Sequence, residues 1–346
     1  MITDGLCIAG TGVRLPPAMN CAEAVERRLC EQGLVESTGM LSVTVSEDES
    51  GPEMAAAAGA AALAASGLRP DDIRLVLHAS IYYQGHELWA PASFVHRRVV
   101  GTDCPAMEVR QVSNGGMAGV ELAAAYLAGN DRPGAALVTT GDRFCPPGFD
   151  RWRSDPGTVY GDGGTALVLS RLGGFARFRS LVSVSAPELE GMHRGDDPFD
   201  RVPFESRPVV DLDANKKAFV ADPEAKARAI ARTGACQREV IDRALARAGV
   251  ELSDVDQVVL PHLGWRRLRA GYLSRMGIPV ERTTWPWSRT VGHLGAGDPF
   301  AGFDHVLRTR RPGPGTLCLL TSVGAGFSWS AAVVEITGEP TLPEKG

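Results

Sequence analysis

Residues 159–170 read VYGDGGTALVLS, a Gly-Asp-Gly turn that leads into an unbroken apolar run. A short apolar run without polar alternation is typical of a strand that is buried on both faces of a sheet. The stretch 326–336, GFSWSAAVVEI, has the same form, with a glycine turn followed by a second apolar run. Similar stretches in the two halves of one chain predict an internally duplicated α/β fold.

Neighbouring segments extend this repeat, because strand, loop-helix and strand follow one another in the same order in both halves. The first-half segments are IRLVLHAS (73–80), a buried helix (117–128) and AALVTTGD (135–142), and the second-half segments are VDQVVLPH (255–262), a loop and helix (292–307) and TLCLLTS (316–322). A helix precedes each set, over 52–66 and over 224–248. Strands that alternate with helices predict βαβ units and a mostly parallel sheet.

The charge and composition exclude several classes of protein. The chain has 346 residues, is 44% hydrophobic and carries a net charge of -5, so it is long enough for a large duplicated domain and lacks the excess basic charge of a nucleic-acid-binding protein. No apolar run approaches the roughly 20 residues that cross a bilayer. The N-terminal sequence lacks the pattern of a signal peptide, and we therefore expect a cytoplasmic protein without nucleic-acid or membrane partners.

The cysteines give no sign of a metal centre. There are seven of them, an odd number, and no Cys-x-x-Cys pair occurs. A zinc site or a set of disulfides is therefore not expected, and a reducing compartment is favoured.

Four motifs resemble those of ketoacyl-ACP synthase III. They are VYGDGGTALVLS (159–170), LPHLGWRRL (260–268), VGHLGAGD (291–298) and GAGFSWSAAVVEI (324–336). The resemblance covers nearly the whole chain and implies a five-layered αβαβα thiolase fold, a homodimer and thioester chemistry through an acyl-enzyme. With the repeat, it suggests an N-terminal half at 1–172 with the nucleophile, a connecting region at 173–215 that is polar and Pro-rich from about residue 186, and a C-terminal half at 216–346 with the histidine and aspartate.

The family's nucleophile is a cysteine that follows a strand and opens a buried helix. The matching stretch here is Glu108-Val-Arg-Gln-Val-Ser113, so the resemblance places Ser113 at the nucleophile position. A rival alignment places Met117 there, but a thioether has no proton to lose, so Met117 is expected only among the substrate-binding residues. The alternative interpretation of Ser113 is a helix N-cap, a position that serine favours. As a nucleophile, serine needs a neighbouring base.

The second half supplies a candidate base. The family motif Gly-Asn-Thr-Ser is replaced here by a stretch that contains His293, and Asp298 follows five residues later. A carboxylate that folds back onto the imidazole would hold its tautomer and stabilise the imidazolium. We therefore predict a triad of Ser113, His293 and Asp298. The alternative is a core histidine beside an aspartate that caps a helix before Pro299.

Two further histidines are candidates for the active site. His262 matches the family's other active-site histidine, although the Gln-Ala-Asn that follows it in the family is replaced by Leu263-Gly264-Trp265. His262 is expected to orient the substrate, with a purely structural role as the alternative. His193 lies in the loop between the halves and is a weaker candidate, because a lone loop histidine is more often a bystander.

Substrate-binding residues follow from the same resemblance. The oxyanion hole is expected from the N–H groups of Ser113 and Ala325, beside Gly324 of the terminal turn. Gly115 allows the backbone to approach closely, as in the family's nucleophile turn. Arg267 matches an arginine near the coenzyme A or carrier-protein entrance. The family's other coenzyme A arginine is absent, since Asp155-Pro156-Gly157 stand in its place.

Three functions are compatible with these residues. The first is acyl transfer, in which Ser113 takes an acyl group from acyl-CoA or acyl-ACP and passes it to a carrier thiol or a hydroxyl in secondary metabolism. The second is the decarboxylative condensation of a starter acyl-CoA with malonyl-ACP by a serine-type starter-unit ketosynthase. The third is an inactive partner of another ketosynthase. Acyl transfer is favoured because a His-Asp pair suits the deprotonation of an acceptor. No permanently bound cofactor is expected, since the acyl group arrives as a thioester.

Overall fold

The computed structural model describes residues 3–342. Its strands are β1 (Cys7–Arg14), β2 (Ala18–Asn20), β3 (Ser42–Thr44), β4 (Ile73–Ala79), β5 (Ala106–Val109), β6 (Ala135–Asp142), β7 (Gly163–Ser170), β8 (Ala176–Ser185), β9 (Gln257–Val259), β10 (Leu317–Gly324) and β11 (Ser328–Ile336). Its α-helices are α1 (Cys21–Glu26), α2 (Gln32–Thr38), α3 (Gly51–Ser66), α4 (Pro91–Val99), α5 (Gly115–Ala128), α6 (Gly191–Arg194), α7 (Leu212–Phe219), α8 (Pro223–Ala248), α9 (Trp265–Leu268), α10 (Ser274–Met276), α11 (Trp285–Ser288) and α12 (Asp298–Arg310). A π-helical segment, Arg269–Leu273, joins α9 to α10.

Nine strands are hydrogen-bonded in the order β5-β4-β6-β7-β1-β8-β11-β10-β9. Strands β1 and β8 meet at only two residue pairs, Cys7 with Arg177 and Ile8 with Ala176. This narrow junction divides the strands into two halves. The order β4-β6-β7-β1 in the first half is repeated as β9-β10-β11-β8 in the second, which confirms the predicted internal duplication.

Two helices lie between the halves. Helix α5 contacts β4 and β6, while α12 contacts β1 and β10 and also touches α5. On the outside, α3 and α4 cover the first half and α8 packs on β8 and β11 of the second. The layers are therefore α, β, α, β, α, and the predicted thiolase-type α/β fold is confirmed. This arrangement brings the N-terminal ends of α5 and α12 together near the centre of the molecule.

Glycines in β1 explain why the alanine-rich helix α3 can pack so closely on the sheet. A Cβ atom added to Gly10 or to Gly12 would lie 2.1 Å from a backbone oxygen of α3, that of Ala62 or Ala58 respectively. Any side chain at these two positions would push the helix away from the sheet. The small residues of α3 and the glycines of β1 together allow the helix to pack closely on the sheet.

The connecting region 173–215 differs from the expectation in its first part, because it contains the ten-residue strand β8. The strand is hidden in the sequence by the charged residues Arg177 and Arg179. Both arginines form ion pairs with Glu335 on the neighbouring strand β11, at 2.7 Å for Arg177 and 2.9 Å for Arg179. Glu335 therefore compensates their positive charge. The predicted strand at 255–262 is also shorter in the structure, where β9 spans only Gln257–Val259.

A buried network of hydrogen bonds explains why the Gly-Asp-Gly turn contains an aspartate. The Asp162 carboxylate accepts backbone N–H groups from Ser46 and Phe144, each at 2.8 Å. It also accepts two hydrogen bonds from the Arg151 guanidinium, each at 2.9 Å. Asp162 is 0% exposed, so these four donors replace all of its contact with water.

Replacing Asp162 with alanine is therefore expected to lower the free energy of unfolding by about 3–5 kcal/mol, because the Arg151 charge would remain buried without its partner. Urea denaturation followed by tryptophan fluorescence measures the change. The control is Asp131→Ala, since Asp131 is exposed on a loop. Equal midpoints for the two variants would contradict the assignment of this network as a structural support.

Within residues 3–342, no helix is both long enough and apolar enough to span a bilayer.

Candidate active site

Ser113 lies on a strained turn between β5 and α5. Val112 has φ of +47°, a left-handed backbone conformation that costs a β-branched residue about 1–3 kcal/mol. The turn is closed by backbone hydrogen bonds from Asn114 N–H to the Gln111 carbonyl (3.1 Å) and from Gly115 N–H to the Val112 carbonyl (3.0 Å). Ser113 therefore precedes the helix by two residues and is held by the turn rather than by the helix.

Ser113 is the first member of a chain of three hydrogen-bonded side chains. Its Oγ atom lies 2.7 Å from His293 Nε2. His293 Nδ1 lies 2.6 Å from Asp298 Oδ2. A carboxylate can only accept, so the Nδ1–H group donates to Asp298 and leaves the Nε2 lone pair to accept the serine hydroxyl proton. His293 and Asp298 are 4% and 2% exposed, which removes them from competing water.

Local backbone structure explains how two residues five positions apart come together. A 3₁₀ turn over Gly295–Gly297 separates them, and α12 begins at Asp298. The Asp298 carboxylate turns back and accepts the Leu294 N–H group at 2.8 Å. The His293 backbone is fixed from the other half, because its N–H group donates to the Val159 carbonyl (2.9 Å) and its carbonyl accepts from Gly161 (3.0 Å).

The environment favours an ionised Asp298 beside a basic His293. Burial opposes the imidazolium form of His293, but the adjacent Asp298 carboxylate outweighs it and raises the pKa of His293. Burial likewise opposes the ionised carboxylate, but the two neighbouring imidazoles and the hydrogen bonds that it accepts lower the pKa of Asp298. The pair can therefore take up a proton from a neighbouring hydroxyl and hold it as imidazolium.

Ser113 and His293 open onto a cavity of about 540 Å³. One wall is polar and includes Asp155, Tyr160 and Lys216. The rest of the lining comes from α8, the 263–272 region and the β10–β11 turn, and it is mostly apolar apart from charged and polar side chains such as Lys226 and Arg267. An apolar cavity with a few polar groups near a nucleophile is the usual form of a small-molecule site.

Ala325 lines this cavity together with Ser113. The turn that carries it packs directly on the nucleophile turn, since a Cβ atom on Gly324 would lie 2.3 Å from the Gln111 carbonyl oxygen. The Ser322 hydroxyl also donates to the Ser113 carbonyl at 3.1 Å. The structure thus places the expected oxyanion residue Ala325 beside the Ser113 backbone.

A buried polar network holds the nucleophile turn from behind. The side-chain amide of Asn114 donates to Ser330 at 2.9 Å, and that of Gln111 donates to Ser328 at 2.9 Å. Both serines belong to β11 of the second half. The turn that presents Ser113 is therefore fixed to the same strand on which the Ala325 turn ends.

Three residues expected to bind substrate lie behind the cavity rather than on its surface. Met117 is 0% exposed in the core between the halves and does not line the cavity. Gly115 is the first residue of α5, where its small size matters because an added Cβ would lie 3.0 Å from the Ala79 Cβ. Gly324 supports the Ala325 turn without lining the cavity.

His262 does not line the cavity either. It is 1% exposed and lies behind Asp298, whose carboxylate accepts its backbone N–H group at 2.8 Å. Its Nδ1 atom lies 2.9 Å from the Gly292 carbonyl oxygen, and burial lowers its pKa, so the ring is a neutral Nδ1–H donor. The structure therefore gives His262 a supporting contact with Asp298, and its Nε2 atom is buried without a hydrogen-bond partner among residues 3–342.

His193 does line the cavity. Its ring packs edge-on against Phe327 with centroids 5.4 Å apart. Burial lowers the pKa of His193 to about 4, so it is a neutral wall residue near neutral pH. It makes no contact with Ser113, His293 or Asp298 that would add it to the hydrogen-bonded chain.

Arg267 lines the cavity, but its guanidinium is already occupied. It donates two hydrogen bonds to the Asp155 carboxylate (3.0 and 2.9 Å), one to the Thr158 hydroxyl (2.7 Å) and one to the Pro156 carbonyl (2.6 Å). These use all four Nη–H groups. Lys216 Nζ donates to the same carboxylate at 2.5 Å. Asp155 and Pro156 stand where the family has its other coenzyme A arginine. They bind Arg267, the arginine that was expected at the entrance of the cavity.

Sequence reasoning missed Tyr160 and Lys216. The Tyr160 ring lies edge-on to the His293 imidazole at 5.0 Å, and its hydroxyl interacts with Asp155. Its place directly before the Gly-Asp-Gly turn was the signal that could have found it. For Lys216 the signal was rarity, since lysine occurs at only four positions of the chain.

Trp285 and Trp287 pack against other aromatic rings outside the cavity. Trp285 is 5% exposed and packs against Trp265 at 5.6 Å. Trp287 stacks on His305 at 4.3 Å. Neither lines the cavity, so both tryptophans contribute to packing rather than to the substrate site.

Comparison with known proteins identifies the family of the chain. A family model described as 3-oxoacyl-[acyl-carrier-protein (ACP)] synthase III C terminal matches residues 245–336. The β-ketoacyl-[acyl-carrier-protein] synthase III of Sphingopyxis alaskensis is 28% identical over 343 residues, covering 97% of this chain and 100% of that protein. The solved structure of the acyltransferase ChlB3 is 33% identical with a TM-score of 0.93, covering 98% of this chain and 99% of that one. The chain belongs to the ketoacyl-ACP synthase III-like family of the thiolase superfamily.

Structures of ketoacyl-ACP synthase III at lower identity share the fold. That of 3-oxoacyl-[acyl-carrier-protein] synthase III from Aquifex aeolicus is 19% identical, with a TM-score of 0.76 over 95% of this chain and 99% of that one. The family match at 245–336 includes His262, His293 and Asp298, whereas Ser113 lies outside it. The part of the chain that the structure describes contains no group of three or more His, Cys, Asp or Glu placed to hold a metal ion.

Proposed function

We propose that this member of the ketoacyl-ACP synthase III-like family is an acyltransferase of secondary metabolism that carries the acyl group on Ser113. The donor is an acyl-CoA or acyl-ACP thioester, and the acceptor is a carrier-protein thiol or a hydroxyl of a natural-product intermediate. The hydrogen-bonded chain Ser113–His293–Asp298 carries this proposal. The structural similarity to ChlB3, which is described as an acyltransferase, supports it.

Acylation of Ser113 uses His293 as the base. The Ser113 hydroxyl gives its proton to His293 Nε2 while Oγ attacks the thioester carbonyl carbon. The N–H groups of Ser113 and Ala325 are the donors to the oxyanion of the tetrahedral intermediate. When the intermediate collapses, the carbon–sulfur bond breaks and the imidazolium returns its proton to the leaving thiolate. Asp298 stabilises the imidazolium between these two proton transfers.

The second half of the reaction reverses these roles. The acceptor thiol or hydroxyl gives its proton to His293 and attacks the acyl-serine carbonyl. The ester bond to Ser113 breaks, and Ser113 Oγ recovers the proton from the imidazolium. Each step uses the same base, and the total number of protons on the enzyme is unchanged at the end of the cycle.

The position of His262 is the observation that favours transfer over condensation. In the resembling family, a histidine at this position faces the substrate and assists decarboxylation. Here His262 is buried behind Asp298 and does not line the cavity. Condensation remains the second candidate function because several relatives are described as β-ketoacyl-[acyl-carrier-protein] synthase III. An inactive partner is disfavoured, since a dead site has no use for an aligned serine, histidine and aspartate.

Donor binding is proposed at the mouth of the cavity. Because Arg267 and Lys216 are both paired with Asp155, the cavity cations without an ion pair that can meet a phosphate of coenzyme A or of a carrier's pantetheine arm are Lys226 and Arg275. Both are exposed and line the cavity. Neither makes an ion pair within residues 3–342. Ammonium and guanidinium groups at such a position attract phosphate by charge and by hydrogen bonding.

A homodimer is also part of the proposal. Strand β5 is at the edge of the sheet, and its Met107 side chain is 47% exposed. The loop after β4 exposes three large hydrophobic residues, Tyr83, Leu88 and Trp89. An unpaired strand edge beside exposed apolar side chains is typical of a surface that pairs with another chain.

Transfer and condensation differ in their products. We expect that the protein, given an acyl-CoA and a carrier protein with a free thiol, produces acyl-carrier protein, and that malonyl-ACP as acceptor loses no CO₂. Intact-protein mass spectrometry of the carrier distinguishes the acyl product from the 3-ketoacyl product. A cysteine-type ketoacyl-ACP synthase III is the positive control for condensation. Formation of 3-ketoacyl-ACP at the rate of that control would replace transfer by condensation.

A further inference from the structure

The cavity is positively charged although the protein is acidic. Four cationic side chains line it, Lys216, Lys226, Arg267 and Arg275, against the single carboxylate of Asp155. The whole chain carries a net charge of -5. A concentration of one sign of charge in a cleft raises the local concentration of oppositely charged substrates. The lining therefore favours a substrate with more than one negative group.

The inner part of this charge is an unbalanced cluster in which Lys216 and Arg267 share the buried Asp155 carboxylate; the charge of the more exposed Asp213 also acts on both cations, but Asp213 is itself paired with Lys217. Asp155 is held below its ordinary ionisation range: burial opposes its charge, but Arg267 and Lys216 outweigh burial and lower its pKa to about 2. Its side chain is 5% exposed, while those of Lys216 and Arg267 are 21% and 34% exposed. One negative charge thus faces two positive charges in a largely desolvated place, where an uncompensated charge is costly.

Lys216 is the member of the cluster with donors to spare. The four Nη–H groups of Arg267 are all used by Asp155, Pro156 and Thr158. An ammonium has three N–H donors, and Lys216 Nζ makes one hydrogen bond within residues 3–342, to Asp155 Oδ1. Two charged donors on a mostly buried side chain therefore remain for a group in the cavity.

We propose that Lys216 binds a carboxylate on the acyl group, so that the enzyme selects dicarboxylic acyl thioesters as donors. This inference rests on the proposed acyl-transfer function and names its substrate class. A bound carboxylate would balance the excess positive charge of the cluster. It would also use the free Lys216 donors in charge-assisted hydrogen bonds, which are the strong ones in a site of low dielectric.

The other cations have different tasks in this arrangement. Lys226 and Arg275 are exposed at the mouth and suit the phosphates of the donor, which every thioester donor shares. His193 is neutral, since burial and then Lys216 itself lower its pKa to about 4. Lys217, the neighbour of Lys216 on α7, does not line the cavity; its side chain is 75% exposed and pairs with Asp213 at 2.6 Å.

The test compares two acyl donors of equal carbon number, succinyl-CoA with a carboxylate and butyryl-CoA without one. We expect wild type to be acylated with a kcat/KM at least about tenfold higher for succinyl-CoA. In Lys216→Met the ratio of the two values should fall by about tenfold or more, because a hydrogen bond to a charged group is lost. Lys216→Arg should keep most of the preference. Lys217→Met is the matched control and should keep the wild-type ratio.

A binding measurement separates this inference from the proposed function. Calorimetric titration with two inert thioethers, the 3-carboxypropyl and the butyl thioether of coenzyme A, needs no acyl transfer. A preference of wild type for the carboxylate thioether that Lys216→Met loses supports the inference even if no acyl-enzyme forms. Equal weakening of both thioethers by Lys216→Met would overturn it in favour of a contact with the coenzyme A portion. No difference between Lys216→Met and Lys217→Met with either ligand would also overturn it.

Discussion

Replacing Ser113 with alanine is expected to abolish acyl-enzyme formation and to lower the rate of acyl transfer by at least about 10⁴-fold. Alanine keeps the turn and the helix but removes the Oγ atom that lies 2.7 Å from His293 Nε2. The loss should appear in kcat, because the cavity that binds the donor is unchanged. Steady-state transfer of a radiolabelled acyl group to a carrier protein measures it.

Two matched variants make this result specific. Ser113→Cys should still form an acyl-enzyme, since a thiol is more acidic than a hydroxyl and keeps the same base. Met117→Ala should also acylate, because Met117 lies in the core and away from the cavity. Activity in Ser113→Ala equal to that in Met117→Ala would show that the nucleophile has been placed wrongly.

Replacing Asp298 with asparagine is expected to lower kcat by about 10³–10⁴-fold. The amide cannot stabilise an imidazolium by charge, and its NH₂ group competes for the Nδ1 position. The carboxylate also accepts N–H groups from Leu294 and His262, both at 2.8 Å, which the amide oxygen can satisfy only in part. Single-turnover acylation measures the loss of rate, and Asp131→Asn on an exposed loop is the control. A loss that appears only in KM would contradict a role in proton transfer.

The pH dependence separates this role from a structural one. His293 must be neutral to accept the serine proton, and its pKa is raised because the Asp298 carboxylate outweighs burial. The acylation rate should therefore fall as the pH drops through this raised value. In Asp298→Asn the remaining activity should fall only at lower pH, because burial then acts on His293 without the opposing carboxylate. An unchanged acid limb in the variant would refute the coupling.

Much of the fold could be predicted because its signals are local. The apolar runs of β4, β6, β7, β10 and β11 stand out in the sequence, and their repeated order indicates the duplication. Strand β8 was missed because Arg177 and Arg179 interrupt its apolar residues. Their charge is compensated by Glu335 on the neighbouring strand, a contact that lies 158 and 156 residues away in the sequence.

The candidate site could likewise be predicted only where its signals are local in the sequence. Two joint departures from the family, serine for cysteine and a His-Asp pair for asparagine, were enough to predict which side chains meet, and the structure brings Ser113, His293 and Asp298 together. The exclusion of His262 from the cavity depends on packing behind Asp298, which no local pattern encodes. The occupation of Arg267 depends on Asp155, 112 residues earlier in the chain.

The most direct test of the account is the mass of the intact protein after incubation with acyl-CoA and acyl-ACP donors, followed by peptide mapping. We expect a mass increase equal to one acyl group, located on the peptide that contains Ser113 and absent from Ser113→Ala. An acyl group on any other residue, or no mass increase with any coenzyme A or carrier-protein thioester, would contradict it.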